Sequence, residues 1–435
     1  MGNEVWRNWG RNQSSTPREV AVPAGVDALC RIVERAAADG RSVKAVGAGH
    51  SFTAAAVAED IQVRLDELTG IRTVDVESGL VTVGAGTPLH VLNAELEARG
   101  LSMTNLGDID AQTVAGAVST GTHGTGAALG GIATQVRGLQ LVLADGSVVE
   151  VSESADPDLF QAARVGIGAF GIVTAVTLQC EPLFRLTAVE EPMPLEQVLD
   201  AFDELADSNE HFEFYWFPHT DVALTKRNNR PKTGQADARL SRWRELLDDE
   251  VLSNGVFELV QRVAYRRPAV IPAVNRLSAR ALSARTFTDV SHRVFVSPRR
   301  VRFREMEYAV PRESLVDVFR SVRSWIEKTG QVISFPIEVR VAAADDIWLS
   351  TATGRASGYL AVHQWHRVDY EPYFHAVEAI ASEVGGRPHW GKLHWLTCDA
   401  LRERYPRFDD AMSVRDRVDP SRMFSNIYTR QVFGS

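Results

Sequence analysis

Apolar residues recur every three to four positions from Val26 to Ala38, and Leu29, Ile32, Val33 and Ala36 fall on one face. That period predicts an amphipathic helix. Around it the pattern changes to alternation and short β-branched runs, which predict strands over Arg18–Val22, Ser42–Val46, Ile61–Leu65, Ile71–Glu77 and Leu80–Gly84. Pro88–Arg99 is a predicted helix, with Thr87 as its cap, Pro88 at the first helical position and Gly100 as its end. Arg137–Leu143 and Ser147–Val151 form a predicted hairpin around Ala144-Asp145-Gly146, and Ile172–Leu178 is a further strand.

After Cys180-Glu181-Pro182 glycine thins out and longer amphipathic elements take over, which marks a domain boundary. Helices are expected over Leu195–Asp207, Ala238–Asp249, Glu313–Thr329, Pro372–Glu383, Asp399–Tyr405 and Asp409–Arg417, and strands over His211–Phe217, Arg300–Val310, Val332–Val341 and Gly358–Trp365. Lys226–Gly234 reads as a polar loop. This mixture gives a second domain of the α+β class.

At 435 residues the chain suggests two or three domains, and 45% hydrophobic content gives each a core to bury. Basic residues number 47 and acidic residues 56, a net charge of −9 that offers no global attraction to nucleic acid or an anionic membrane. The run Arg293, Arg299, Arg300, Arg302 and Arg304 reads as a solvated face. Cys30, Cys180 and Cys398 match no zinc or redox spacing, so buried thiols in a reducing compartment are expected. The N-terminus lacks a signal-peptide core and no run approaches the ~20 apolar residues of a membrane span. A cytoplasmic protein with neither nucleic-acid nor membrane partners is the expectation.

Four stretches carry the candidate chemistry. Val46-Gly47-Ala48-Gly49-His50-Ser51-Phe52-Thr53 follows a strand; its glycines permit positive φ and leave no Cβ in the way of a diphosphate, and backbone N–H groups can form an anion nest. Asn105–Gly126 is dominated by small residues and hydroxyls suited to lie against a flat polar cofactor. Glu338 and Arg340, two apart on a predicted strand, share a face. His389-Trp390-Gly391-Lys392-Leu393-His394 adds a cation near the end of the chain. Gly166-Ile167-Gly168-Ala169-Phe170-Gly171 matches a dinucleotide fingerprint, but a strand follows where that fold needs a helix, so the Rossmann reading is rejected. His363, His366, His389 and His394 lack the matched carboxylates of a closed metal site, so no metal is expected.

In this order, the motifs resemble the sugar-1,4-lactone oxidases (gulonolactone and arabinonolactone oxidase) and the related bacterial alditol oxidases, flavoproteins of the vanillyl-alcohol-oxidase (VAO/PCMH) type. The resemblance covers nearly the whole chain. It implies a two-domain α+β flavoprotein: an FAD-binding domain from residues 1–182, a cap or substrate domain from 183–411, and a segment 412–435 returning to the FAD-binding domain. It also implies that His50 bonds covalently to the flavin, that Gly47, Gly49 and Ser51 contact the diphosphate, and that Val46, Ala48 and Phe52 belong to the same turn. Gly116, Ser119, Gly121, Thr122, His123 and Gly124 would line the flavin, with Ile172 or Val173 on the adenine side. Gly107 would be the small gate residue that leaves a path for dioxygen.

On the catalytic side the resemblance assigns Glu338, Arg340 and Lys392, with Asp108, His363 and Trp365 in contact with substrate. It implies oxidation of a sugar-1,4-lactone of the gulono-, arabinono- or galactono- type at its C2 hydroxyl, hydride passing to the flavin and dioxygen becoming hydrogen peroxide. The alternatives are oxidation of a polyol such as xylitol or sorbitol at a primary alcohol, or an oxygen-poor lactone dehydrogenase. Alditol oxidases carry serine at the position of Asp108, threonine at that of Trp365 and Val-Phe where this chain has Leu393-His394, which favours the lactone. No oligomeric state follows.

Overall fold

A computed structural model describes residues 5–231, 257–297 and 301–435. The helix expected over Ala238–Asp249, and Arg299 and Arg300 of the basic run, lie outside these residues.

The N-terminal part holds two larger sheets beside two short strand pairs, Trp6–Arg7 with Ser14–Ser15 and Leu101–Ser102 with Glu181–Pro182. Glu19–Ala21 and Val43–Val46 both run parallel to Ile61–Arg64. A parallel arrangement needs a crossover, and the amphipathic helix Val26–Ala38 between the two outer strands supplies it, burying Leu29, Val33 and Ala36. The second sheet is antiparallel, in the order Val148–Ser152, Val136–Val142, Ile172–Gln179, Leu80–Gly84, Ile71–Asp75. Its core also takes in Leu401, Phe408, Val414, Tyr428, Val432 and Phe433. The C-terminal helices Phe408–Val418 and Ile427–Phe433 therefore pack with the first part of the chain, together with Trp390, Leu401 and Tyr405 just before them in sequence.

The middle of the chain builds an eight-stranded antiparallel sheet, in the order Arg285–Val290, Arg185–Pro194, Val222–Asn229, His211–Trp216, Ile337–Ala342, Ser357–Trp365, Phe303–Pro311, Arg387–Pro388. Side chains alternate between faces of a strand. On one face Phe212, Phe214, Trp216, Met306, Tyr308, Ile337, Val339, Leu360 and Val362 join a core that also holds Phe319, Val322 and Ile326 of the helix Leu315–Thr329 and Phe374 of Glu371–Glu383. The intervening positions, Glu213, Glu305, Glu307, Glu338, Arg340 and His363, therefore fall on the opposite face, and all are buried.

Several local expectations change. The helix expected over Leu195–Asp207 is two, Leu195–Asp200 and Phe202–Asp207, broken at Ala201 with φ −102° and ψ 14°. The break lets Leu199 and Phe202 enter the same core. Lys226 to Asn229 are strand and not loop, because Lys226 reaches Glu213 and Arg227 reaches Glu191 on the flanking strands, so polar residues are satisfied inside the sheet. The strand expected from Val332 begins only at Ile337, just after Pro336, which has no N–H to give the ladder. Thr87 does not cap the helix Leu89–Glu97; its hydroxyl donates to the Gly84 carbonyl at 2.7 Å. Arg302 and Arg304 are not a solvated face: Arg302 Nε donates to the Trp9 carbonyl at 2.9 Å and Arg304 to that of Gly10, tying the N-terminal segment down. No helix among the described residues is long and apolar enough to cross a membrane.

Candidate active site

The strand Val43–Val46 delivers the chain into Gly47-Ala48-Gly49-His50, where Gly49 adopts φ +71°. A Cβ on Gly47 would sit 2.3 Å from Thr113 Oγ1, so only glycine permits the turn to lie against the second motif. Thr113 in turn caps the helix Val114–Ser119, accepting from Gly116 N–H at 3.3 Å. These elements wall a cavity of about 630 Å³ lined by Val46 through Ser51, Gly116, Ser119, Gly168, Ile172 and Val173. Its size lies in the range of small-molecule and cofactor sites. Backbone-rich walls, glycines and apolar side chains fit the diphosphate and rings of FAD.

A second, smaller cavity of about 70 Å³ adjoins the first: His50, Ser51, Gln112 and Thr120 line both. Its other walls are Trp9, Phe52, Gly107, Asp108, Thr122, His123, Phe303 and the charged face of the eight-stranded sheet. Two long-range hydrogen bonds set its floor. Phe52 N–H donates to the Gly391 carbonyl at 2.7 Å, and Thr53 Oγ1 to that of Trp390 at 3.0 Å, so the first and last motifs are joined directly.

Arg340 sits among three carboxylates. Its Nε donates to Glu213 at 2.9 Å, Nη2 contacts Glu338, and Asp108 lies 3.7 Å away. Tyr215 donates to Glu338 at 3.0 Å, and Lys226 stands 3.4 Å from Glu213. Burial alone would push the Arg340 pKa down, yet Glu338, Glu213 and Asp108 overcome it and hold the group well above its ordinary value. Lys392 lies between Glu305, at 2.6 Å, and Glu307, at 3.0 Å. Burial opposes its charge, and these two carboxylates raise its pKa above that of a free lysine. Both cations are permanent at neutral pH, and both face the smaller cavity.

His50 has no such partner among the described residues. Burial lowers its pKa, and its ring stacks on Trp9, with centroids 5.7 Å apart and planes 20° apart. Trp9 N–H donates to the Gly49 carbonyl at 2.8 Å, Asn8 Nδ2 to that of Ser51 at 2.9 Å and Asn12 Nδ2 to that of Phe52 at 2.7 Å. The N-terminal segment is thus a clamp on the His50 turn.

Most of the expected site residues converge on these cavities. Val46, Gly47, Ala48, Gly49, Ser51, Gly116, Ser119, Ile172 and Val173 line the larger one, and His50 both. Phe52, Gly107, Asp108, Thr122, His123, Glu338, Arg340, His363 and Lys392 line the smaller. Three stand apart. Trp365, 1% exposed, packs with Phe52, Phe303 and Phe335 in a small core behind the wall. Gly124 is wedged against the Leu106 carbonyl, and Gly121, at φ +73°, turns the chain beside Val165.

The sequence reading missed Trp9, Lys44, Glu213, Glu305 and Glu307. Glu305 and Glu307 had a signal, being charges two apart within an apolar strand. Lys44 had none: it is fully buried, donates to the carbonyls of Ile167 at 3.0 Å and Phe424 at 3.3 Å, and burial followed by repulsion from Arg415 brings its pKa down to about 7. His123, Glu307 and His389 also come close enough to hold a metal ion. The Lys392 ammonium already lies against Glu307, so this carboxylate has its cation.

Comparison with known proteins accounts for this arrangement. A profile of the FAD binding domain matches residues 17–152, and one of D-arabinono-1,4-lactone oxidase matches 176–432. The chain is 41% identical over 430 residues to the L-gulono-1,4-lactone dehydrogenase of Mycobacterium tuberculosis, covering 99% of both. It is 32% identical to the L-gulonolactone oxidase of Bos taurus and 30% identical to the alditol oxidase of a Streptomyces species, each over 98% of both chains. Its fold is similar to that of cholesterol oxidase from Brevibacterium sterolicum, with a TM-score of 0.83 and 17% identity over 99% of this chain and 96% of the other. With an FAD-binding domain match over residues 17–152 followed by a lactone-oxidase match over 176–432, this chain belongs to the D-arabinono-1,4-lactone oxidase family of FAD-dependent oxidoreductases.

Proposed function

We propose that the protein oxidises a sugar-1,4-lactone at the C2 hydroxyl, with dioxygen as electron acceptor and hydrogen peroxide as product. The observation that carries this reading is the convergence of Arg340 and Lys392, two permanent cations from distant parts of the chain, on one small cavity that shares His50 with the cofactor cavity. Bound FAD would supply a two-electron acceptor for the hydride, and the hydroxyl proton released as the carbonyl forms is returned in hydrogen peroxide when dioxygen takes the two electrons. The chain's own residues do the rest. Arg340 and Lys392 stabilise the negative charge that develops on the hydroxyl oxygen, in a site that excludes bulk water and so strengthens that interaction. Glu338 and Asp108 accept hydrogen bonds from the other hydroxyls of the sugar, and His363 forms part of the wall.

His50 is the covalent attachment point in this reading. Burial keeps its imidazole neutral, the form with a lone pair to give, and Trp9 holds the ring in place. Residues 1–182 and 412–435 form the FAD-binding domain and 183–411 the cap in this reading; the shared core of Phe433 and Tyr428 with Val81 and Leu141 supports the return of the chain end, and Leu401, Tyr405 and Phe408 in that core carry the return upstream of residue 412. Gly107, in the wall of the smaller cavity, leaves room for dioxygen. Peroxide release under air with gulono-1,4-lactone, compared with xylitol, tests the substrate class. Faster turnover of xylitol would replace the lactone reading with that of an alditol oxidase, and turnover only with a dye acceptor would make the protein a dehydrogenase.

A further inference from the structure

Glu305 and Glu307 project from the same face of the strand Phe303–Pro311, and each meets a histidine in the same way. Glu305 Oε1 lies 3.3 Å from His363 Nε2, and Glu307 Oε2 lies 3.0 Å from His123 Nε2. The far nitrogen of each ring points at a backbone carbonyl: His363 Nδ1 at Pro336, 3.2 Å, and His123 Nδ1 at Gly124, 2.9 Å. Each ring is thus held at both nitrogens, between a glutamate carboxylate and a backbone carbonyl. Lys392 bridges both pairs and spends two of its three N–H groups on Glu305 and Glu307.

Among the described residues Glu307 Oε1 is buried without a hydrogen-bond partner, and this carboxylate meets Lys392 and His123 through its other oxygen.

We propose that Glu305 and Glu307, each held by a histidine, His363 and His123 respectively, are positioning residues that fix Lys392 as a charged donor with one N–H directed into the substrate cavity. The Lys392 side chain is 16% exposed and lines that cavity, as its third donor requires. The role rests on the lactone-oxidation reading, but the geometry does not. Burial would raise the pKa of Glu305, yet Lys392 and His363 hold it at about 2, so it remains a carboxylate opposite the ammonium. The groups facing Lys392 are Glu305 and Glu307 from one strand, His123 from the glycine-rich motif, Arg340 and His363 from neighbouring strands, and His389 from its own loop; His389 is driven to about 3 by burial and then by Lys392, and is neutral.

The test is competitive acetylation of the folded protein across a pH series, with and without FAD, read by mass spectrometry at Lys392 against exposed Lys328. Acetic anhydride reacts only with the free amine, so the pH midpoint reports the charge of Lys392 whatever the access. In the unaltered protein the Lys392 midpoint should lie above that of Lys328. Glu305→Gln and Glu307→Gln, each isosteric, should lower it by roughly one pH unit or more, and the alkaline limb of kcat/KM for the lactone should move down with it. An unmoved midpoint in the variants, or a uniform fall in kcat with the limb unchanged, overturns the proposal. Lys392→Met separates the two readings: if it leaves lactone turnover intact, the functional assignment of the cavity fails while the labelling result stands.

Discussion

Arg340→Lys keeps a positive charge and removes a fork. The guanidinium serves Glu213 through Nε at 2.9 Å, touches Glu338 through Nη2 and has Asp108 at 3.7 Å. An ammonium is a single point of charge on a flexible stem, so it cannot face all three carboxylates with that geometry. Keeping Glu338, its neighbour on the strand, it loses at least the bond to Glu213, which then relies on Lys226 at 3.4 Å. A charge-assisted hydrogen bond contributes about 1.5–3 kcal/mol, so the variant should be less stable by roughly 2 kcal/mol in urea titration. Catalysis should suffer more. Loss of one well-placed donor to a developing oxyanion costs about 2.7–4 kcal/mol, or roughly 10²–10³ in rate. Anaerobic stopped-flow reduction of the flavin by the lactone measures that step directly, with FAD content determined beforehand on the same sample. A rate within about threefold of the parent at full FAD content would refute the role given to Arg340.

His50→Ala should still bind FAD through the glycine turn, but acid precipitation should leave the yellow colour in the supernatant; colour retained in the pellet would place the bond elsewhere. In Gly107→Ala the new Cβ would stand 3.1 Å from the His123 carbonyl and from Thr122 Cγ2, close enough to narrow the cavity without unfolding it. Turnover with oxygen should fall more than turnover with a dye acceptor, and an unchanged ratio would remove Gly107 from the oxygen path. Trp390 is fully buried, donates to the Leu349 carbonyl at 2.7 Å and stacks on Tyr405 with centroids 5.4 Å apart, so Trp390→Ala should cost about 3–5 kcal/mol in denaturant unfolding. His389 and His394 are held at about 3 by burial, below the value near 6.5 of the unfolded chain. The unfolded state therefore binds more protons between these values. Stability should decline as pH falls from about 6.5 towards 3, by about 1.4 kcal/mol per histidine per unit, and a midpoint flat across that range would contradict their neutral burial.

The sequence by itself determined the parts whose information is local. The helix Val26–Ala38 and the strand Leu80–Gly84 follow from period alone, at the bounds expected. The glycine turn at His50 was legible because φ +71° at Gly49 and the close approach of Gly47 to Thr113 are demands that glycine meets. Four motifs in order carried the family. What the tertiary structure decided was which charges meet. Glu305 faces His363 only because the strands Phe303–Pro311 and Ser357–Trp365 pair in the register that sets those two residues opposite each other. Trp9 reaches His50 through bonds from its own segment to the turn, and Arg302 and Arg304 fasten that segment from nearly three hundred residues away. Trp365 shows the converse: it shares a face with His363 by alternation, yet it lies outside the cavity lining because the wall closes on Phe303 and Phe335. Period fixes the face of a strand, but the partner across it depends on long-range register, and no stretch of the chain encodes that alone.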